Sequence, residues 1–164
     1  GTKTKKGFQD YTLHVEFFLP FKPFARGQAR ANSGVYMQDR YEIQVLDSFG
    51  LTGEHNECGG IYSVKKPDVN MCLPPLTWQS YDIYFTAAKF DDQGKKIAGA
   101  RITVIHNGVV AHHRKEYTGT TPHQRNGDYS KPHPPEVFIQ LQDHGNPMRF
   151  RNIWLRNLGE YDKP

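Results

Sequence analysis

The chain has 164 residues, of which 37% are hydrophobic and 23% charged, a composition typical of a folded globular protein rather than a disordered segment. Its formal net charge is +4, but the basic residues are scattered apart from a lysine cluster near the start, so nucleic-acid binding is not indicated. No apolar run is long enough to span a membrane. We expect a single domain over residues 1–164, with frayed ends at residues 1–7 and 159–164.

The chain then reads as a succession of strands. Tyr11–Leu19 alternates between two faces and ends at Pro20, because proline cannot donate to a sheet ladder. Two strands follow within residues 32–48, and Asn107-Gly108 predicts a later hairpin. The remaining predicted strands are Gly60–Val64, Trp78–Ala87, Ala100–Ile105, Val109–His112, Glu136–Gln142 and Met148–Arg156. Roughly eight to ten strands without a convincing helix predict an all-β jelly-roll sandwich, with a small barrel as the alternative.

The second strand of the 32–48 segment carries polar side chains on one face. Ile43 and Val45 point one way and Glu42 and Gln44 the other, since strand side chains alternate. Asp47 joins the Glu42 face only if a β-bulge follows Val45. A solvated strand face would produce the same pattern.

Further polar residues crowd into the same stretch and favour a functional cleft over a merely wet face. These are Arg30, Asn32 and Tyr36. Two carboxylates on one strand, Glu42 and Asp47, can act as acid and base or as ligands of a divalent metal ion.

A second candidate group lies near the chain end, in Gln142-Asp143-His144-Gly145 and at Arg149. Histidine transfers protons near neutral pH, so His144 is a candidate acid or base. Alternatively, Asp143 and His144 cap the turn. Arg149 either binds an oxyanion or lies on the surface. His106, next to the predicted hairpin, is either structural or part of a site at the strand ends.

Cys58 and Cys72 flank a loop rich in proline, asparagine and glycine. Two cysteines at this spacing are compatible with one disulfide in an exported protein, and equally with two reduced, buried thiols.

Several motifs occur in an order that resembles a known family. They are Asn32–Tyr36, Tyr41–Ser48, Trp78–Ile83, His106–Gly108, Leu141–Gly145 and Arg149–Trp154. The chain resembles the 3-keto-disaccharide hydrolase domain family from Phe8 to Leu158. The resemblance implies a concanavalin-A-like jelly-roll β-sandwich, and members usually begin with further strands upstream of Phe8.

The resemblance also implies an activity, the cleavage of 3-keto-glycosides by removal of the C2 proton and elimination, with or without hydration. Together with the polar clustering, it leads to the hypothesis that Glu42 or Asp47 is the base or a metal ligand and that His144 is an acid or base. The substrate would be a carbohydrate, and a divalent metal ion is a candidate cofactor because it would stabilise the enolate. The implied substrate contacts are Arg30, Asn32, Tyr36, Gln44, His106, Gln142 and Arg149.

An oxidoreductase that oxidises the sugar at C3 would act upstream, and a secreted or periplasmic location follows from the resemblance together with the possible disulfide. Two alternatives stay open at this point. One is a non-catalytic, lectin-like carbohydrate-binding module, and the other is a structural sandwich domain of a larger surface protein.

Overall fold

Chain segments in which apolar and polar side chains alternate form strands, because each strand then presents one apolar face for burial. The computed structural model describes residues 1–122 and 127–159. The strands are β1 (Thr2–Lys3), β2 (Tyr11–Phe18), β3 (Ser33–Met37), β4 (Tyr41–Val45), β5 (Trp78–Thr86), β6 (Lys89–Phe90), β7 (Lys96–Ala98), β8 (Arg101–His106), β9 (Val109–Glu116), β10 (Gln140–Leu141) and β11 (Arg149–Asn157). Gly27–Ala29 forms a single 3₁₀ turn, and the described residues contain no helix that could cross a membrane.

Two antiparallel sheets face each other. One has the order β11-β2-β5-β8-β9 and the other β1-β10-β3-β4, while β6 and β7 form a separate pair. Contacts join the inner faces, since the ring centroids of Tyr41 on β4 and Phe85 on β5 lie 5.5 Å apart. The Tyr81 hydroxyl on β5 donates to the Gln44 carbonyl on β4 at 2.7 Å. The predicted all-β sandwich is confirmed.

The core takes the residues that the alternation assigned to it. Leu13, Val15 and Phe17 on β2 are buried, as are Ile43 and Val45 on β4. Glu42 and Gln44 therefore lie on the outer face of the four-stranded sheet.

Three predicted strands differ from the structure. Gly60–Val64 forms a turn, in which Ile61 makes isolated bridges to Ile43 and Lys65. Glu136–Gln142 shortens to β10, because the Ile139 amide donates to the Thr4 hydroxyl at 3.0 Å rather than to a ladder carbonyl. Val109–His112 extends to Glu116 as β9.

The end of strand β4 and the first residues of the chain also differ from expectation. β4 ends at Val45 and its pairing with β3 has no register shift, so the bulge that would turn Asp47 is not formed. Residues 1–7, expected to be frayed, include β1, which pairs with β10. Of the predicted frayed end at 159–164, residues 160–164 lie outside the described residues.

Of the two alternatives for Cys58 and Cys72, the structure shows two reduced, buried thiols and not the possible disulfide. Both cysteines are free, buried thiols, and the Cys58 Sγ lies 3.2 Å from the Tyr81 hydroxyl. Burial and contact with the Cys72 thiol raise the pKa of Cys58, so this thiol stays protonated. The predicted exported location then depends on the family resemblance alone.

The centre of the sandwich should be the most sensitive part of the structure to truncation. Ile83 on β5 is fully buried, so Ile83→Ala should lower the free energy of unfolding by about 2 to 5 kcal/mol. Ile97 is 66% exposed, and Ile97→Ala should change it by less than about 0.5 kcal/mol. Denaturant unfolding of both variants measures this, and equal losses would contradict the assigned core.

Candidate functional site

A polar cleft of about 580 Å³ opens on the outer face of the four-stranded sheet. Its volume falls within the range of small-molecule sites. The residues that line it, called here the Glu42 cleft, are Gln28, Ala29, Asn32, Tyr36, Glu42, Gln44, Tyr62, Gln142 and His144. Strands β3 and β4 form its floor, so the cleft uses the polar face that the alternation predicted.

Glu42 is the carboxylate of this cleft. It lies opposite Tyr36 in the register of β3 and β4, and the Tyr36 hydroxyl donates to Glu42 Oε2 at 2.7 Å. Burial raises the pKa of Glu42 to about 7, while the hydrogen bond from Tyr36 acts in the opposite direction. A carboxyl group with this pKa exchanges protons near neutral pH.

Gly34 makes room for that carboxylate. A Cβ at position 34 would collide with the Glu42 carboxylate, which lies across β3 at this point. Only glycine leaves this space free, so Gly34 positions Glu42 by its lack of a side chain.

Amide side chains form the adjoining wall. The Val45 amide donates to Gln44 Oε1 at 3.2 Å, and Gln44 Nε2 donates to Gln28 Oε1 at 2.8 Å. Gln28 Nε2 donates to the Asn56 carbonyl at 2.7 Å, and Asn32 Nδ2 donates to Gln28 Oε1 at 3.3 Å. The network fixes the cleft wall through groups from three separate chain segments.

The segment after β10 closes the other side. The Gln142 amide donates to the Gly34 carbonyl at 2.9 Å, and Gln142 Nε2 donates to the Tyr36 hydroxyl at 3.2 Å. Asp143 caps the turn by accepting from the Gly145 amide at 2.7 Å. His144 is exposed and lines the cleft, so its ring can contact both solvent and a bound molecule.

Four predicted site residues lie elsewhere. Asp47 is buried and accepts a hydrogen bond from Arg30 Nη2 at 2.9 Å. The two residues form an ion pair and neither belongs to the cleft lining. Arg149 belongs to the opposite sheet, where its guanidinium lies 5.1 Å from the Phe18 ring. His106 is buried inside the sandwich 3.2 Å from Gln79 Oε1, and burial lowers its pKa to about 3.

The predicted metal-ligand pair is not assembled. Glu42 contacts Tyr36 and Asp47 contacts Arg30, so the two carboxylates face different partners. Within residues 1–122 and 127–159, no group of three or more His, Cys, Asp or Glu side chains could hold a metal ion. These donors do not fit a divalent cation, and no step proposed below involves one.

Three residues of the cleft lining, Gln28, Ala29 and Tyr62, were missed from the sequence. Gln28 lies in a loop with no regular pattern, although it precedes Asn32 by four positions in the same polar stretch. Tyr62 was assigned to a strand that is a turn, and this turn carries it to the cleft.

The fold and the cleft define an antiparallel β-sandwich protein with a ligand-sized cleft on the outer face of one sheet. Residues 1–156 match the family described as the 3-keto-alpha-glucoside-1,2-lyase-like domain. The chain belongs to this family, which confirms the predicted membership.

Solved structures agree with this assignment. A provisionally named glycosyl hydrolase from Parabacteroides distasonis ATCC 8503 is 37% identical with a TM-score of 0.86, and the match covers 95% of this chain and 67% of that one. A second such protein from the same organism is 23% identical with a TM-score of 0.66 over 95% of this chain and 82% of its own, which shows the shared fold. No curated protein matches the chain.

The raised pKa of Glu42 predicts how stability depends on pH. An unfolded glutamate loses its proton near pH 4.5 and the folded one near pH 7, so folding disfavours ionisation. The contribution of Glu42 to stability should fall as pH rises from about 4.5 to 7, by roughly 3 kcal/mol if the whole shift acts on folding. Burial lowers the pKa values of His106 and His112 to about 3 and about 4, so these two residues contribute in the opposite direction, and the Glu42 contribution is read from the difference between the unmodified protein and Glu42→Gln. Stability of Glu42→Gln relative to the unmodified protein should therefore increase as pH rises through this range.

Urea unfolding across this pH range measures the effect. Glu116→Gln serves as control, because Glu116 is an exposed partner of Arg101 on the other sheet. The control should keep the pH profile of the unmodified protein. A Glu42→Gln profile that matches the unmodified protein would contradict the raised pKa.

Proposed function

We propose that the chain is a carbohydrate-active enzyme that cleaves the glycosidic bond of 3-keto-glycosides. The observation that carries the proposal is a buried carboxyl group with a pKa of about 7 on the floor of a polar, ligand-sized cleft. The family description names a 3-keto-alpha-glucoside lyase, and the neighbour that shares 37% identity is named as a glycosyl hydrolase.

The chemistry needs a base near neutral pH. A ketone at C3 acidifies the C2 hydrogen, and a base that removes this proton leaves an enolate whose negative charge rests on the C3 oxygen. The enolate electrons then form the C1–C2 double bond as the C1–O bond breaks. The leaving oxygen takes up one proton, and addition of water across the new double bond completes a net hydrolysis.

The cleft residues can supply these functions. Glu42 is the proposed base, because its pKa allows it to accept a proton and return it at neutral pH. Once Glu42 is protonated, the Tyr36 hydroxyl no longer faces a negative charge and can donate to the enolate oxygen. His144 at the rim is the proposed proton donor to the leaving oxygen.

The lectin-like alternative predicts binding without cleavage. A flat platform of aromatic rings would favour it, whereas this cleft holds a perturbed carboxyl group and a histidine. The enzyme proposal further requires an oxidoreductase that supplies the C3 ketone. A secreted or periplasmic location remains part of the proposal.

The first test is mass spectrometry of an aryl 3-keto-α-glucoside incubated with the protein. Release of the aglycone is expected, and Glu42→Gln should reduce the rate at least about 100-fold because the base is lost. Glu116→Gln should retain full activity.

A parallel reaction with a chelator tests the predicted metal ion. Binding of an ordinary glucan without any release of aglycone would favour the lectin-like module.

A second test uses the Tyr36–Glu42 hydrogen bond. The bond lowers the pKa of Glu42, so Tyr36→Phe should raise it and move the acidic limb of the kcat/KM profile to higher pH. The base acts only when ionised, which fixes the direction of the shift. Profiles of the two proteins with superimposable acidic limbs would exclude Glu42 as the base.

A further inference from the structure

We infer that the Glu42 cleft admits only glycosides without ionised substituents, and that Asn32 and Gln142 are the residues that recognise sugar hydroxyl groups. The inference rests on the proposed function, because it specifies the substrate class of the same site. The charges around the cleft and the direction in which each amide points support it.

The charges exclude anionic sugars. The described residues that line the cleft include no lysine or arginine, and His144 at the rim is the one lining residue of basic type, while Glu42 on the floor supplies a carboxylate once it is ionised. The nearby Arg30 forms an ion pair with Asp47 at 2.9 Å and is not part of the lining. A uronate or sulfate group on the cleft floor would therefore lose its hydration and meet a like charge without a lysine or arginine to compensate it.

The orientation of Asn32 follows from bonds to the backbone. The Val45 amide can only donate, so it fixes Gln44 with Oε1 toward it and Nε2 toward Gln28. The Asn56 carbonyl can only accept, so it fixes Gln28 with Nε2 toward Asn56 and Oε1 toward Gln44 and Asn32. Asn32 must then donate through Nδ2, which leaves Oδ1 as the free acceptor.

The orientation of Gln142 follows from the charge on Glu42. Above pH 7 Glu42 is ionised and its carboxylate takes the hydroxyl hydrogen of Tyr36, so the Tyr36 oxygen can only accept from Gln142. Gln142 must therefore turn Nε2 toward Tyr36, and its Oε1 is left as an acceptor.

Both remaining oxygens are unsatisfied. Asn32 Oδ1 and Gln142 Oε1 are closed to solvent and have no hydrogen-bond partner. A buried acceptor without a partner is costly, so a ligand that brings a hydrogen-bond donor to either oxygen is favoured. Neutral sugar hydroxyl groups are such donors, whereas a carboxylate or sulfate offers acceptors only.

The test compares two ligands that differ in one group, a 4-nitrophenyl α-glucoside and the corresponding α-glucuronide. Neither carries the C3 ketone, so titration calorimetry reports binding without reaction. The glucoside should bind at least about 10-fold more tightly, the ratio expected for one uncompensated charge. Equal binding, or tighter binding of the glucuronide, would overturn the inference.

Variants separate the two parts of the inference. Asn32→Leu and Gln142→Leu each remove an acceptor and should weaken glucoside binding about 5- to 10-fold. Gln93→Leu, at an exposed turn remote from the lining, should leave it unchanged. Glu42→Gln removes the negative charge and should narrow the glucoside-to-glucuronide ratio. A ratio that is unchanged in Glu42→Gln would contradict the charge argument.

The same ligands in their 3-keto forms distinguish this inference from the proposed function. Preferential glucoside binding without cleavage of either keto form would contradict the enzyme and leave the specificity intact. Equally efficient cleavage of both keto forms would support the enzyme and overturn the specificity.

Discussion

The hydrogen bond between Tyr36 and Glu42 connects the two strands that form the floor of the cleft. It exists because the register of β3 and β4 places the two residues opposite each other, and because Gly34 leaves space for the carboxylate. Gln142 reaches the same hydroxyl from the segment after β10. A shift of one residue in this register would move Glu42 to the core face and separate all three groups, so the site depends on strand pairing more than on any loop.

Strand β4 serves the core and the cleft together. Ile43 and Val45 pack between the sheets, while Glu42 and Gln44 are also almost completely buried under the cleft wall. The strand is thus packed on both of its faces, which orders the cleft residues before a ligand binds. The cost is a carboxyl group kept from water, and that desolvation gives Glu42 its unusual proton affinity.

The sequence pattern predicted part of this arrangement and could not predict the rest. Alternation along β4 placed Glu42 and Gln44 correctly, because a period of two follows from strand geometry alone. Alternation predicts which face of a strand a side chain occupies, but not which of the two sheets the strand joins. It therefore could not show that Arg149 belongs to the sheet opposite the cleft. Asp47 lies beyond the end of β4 and forms an ion pair with Arg30. This pair depends on tertiary packing, which a local sequence pattern does not predict. Gln28 lies in the 3₁₀ turn Gly27–Ala29 outside the strands, and only the folded chain brings it to Gln44.

The amide network also bears on how this scaffold could be redesigned. Gln28 comes from the loop before β3 and Asn56 from the loop after β4, and the Gln44 side chain donates to both, to Gln28 Oε1 at 2.8 Å and to the Asn56 carbonyl at 3.3 Å. The loop after β4 is further attached to β4 by backbone bonds between Gln44 and the glycine pair Gly59-Gly60. A graft of either loop alone from a relative would leave an amide on β4 without its counterpart. The two loops and the residue between them therefore form one cassette, to be exchanged together when the cleft is given a new specificity.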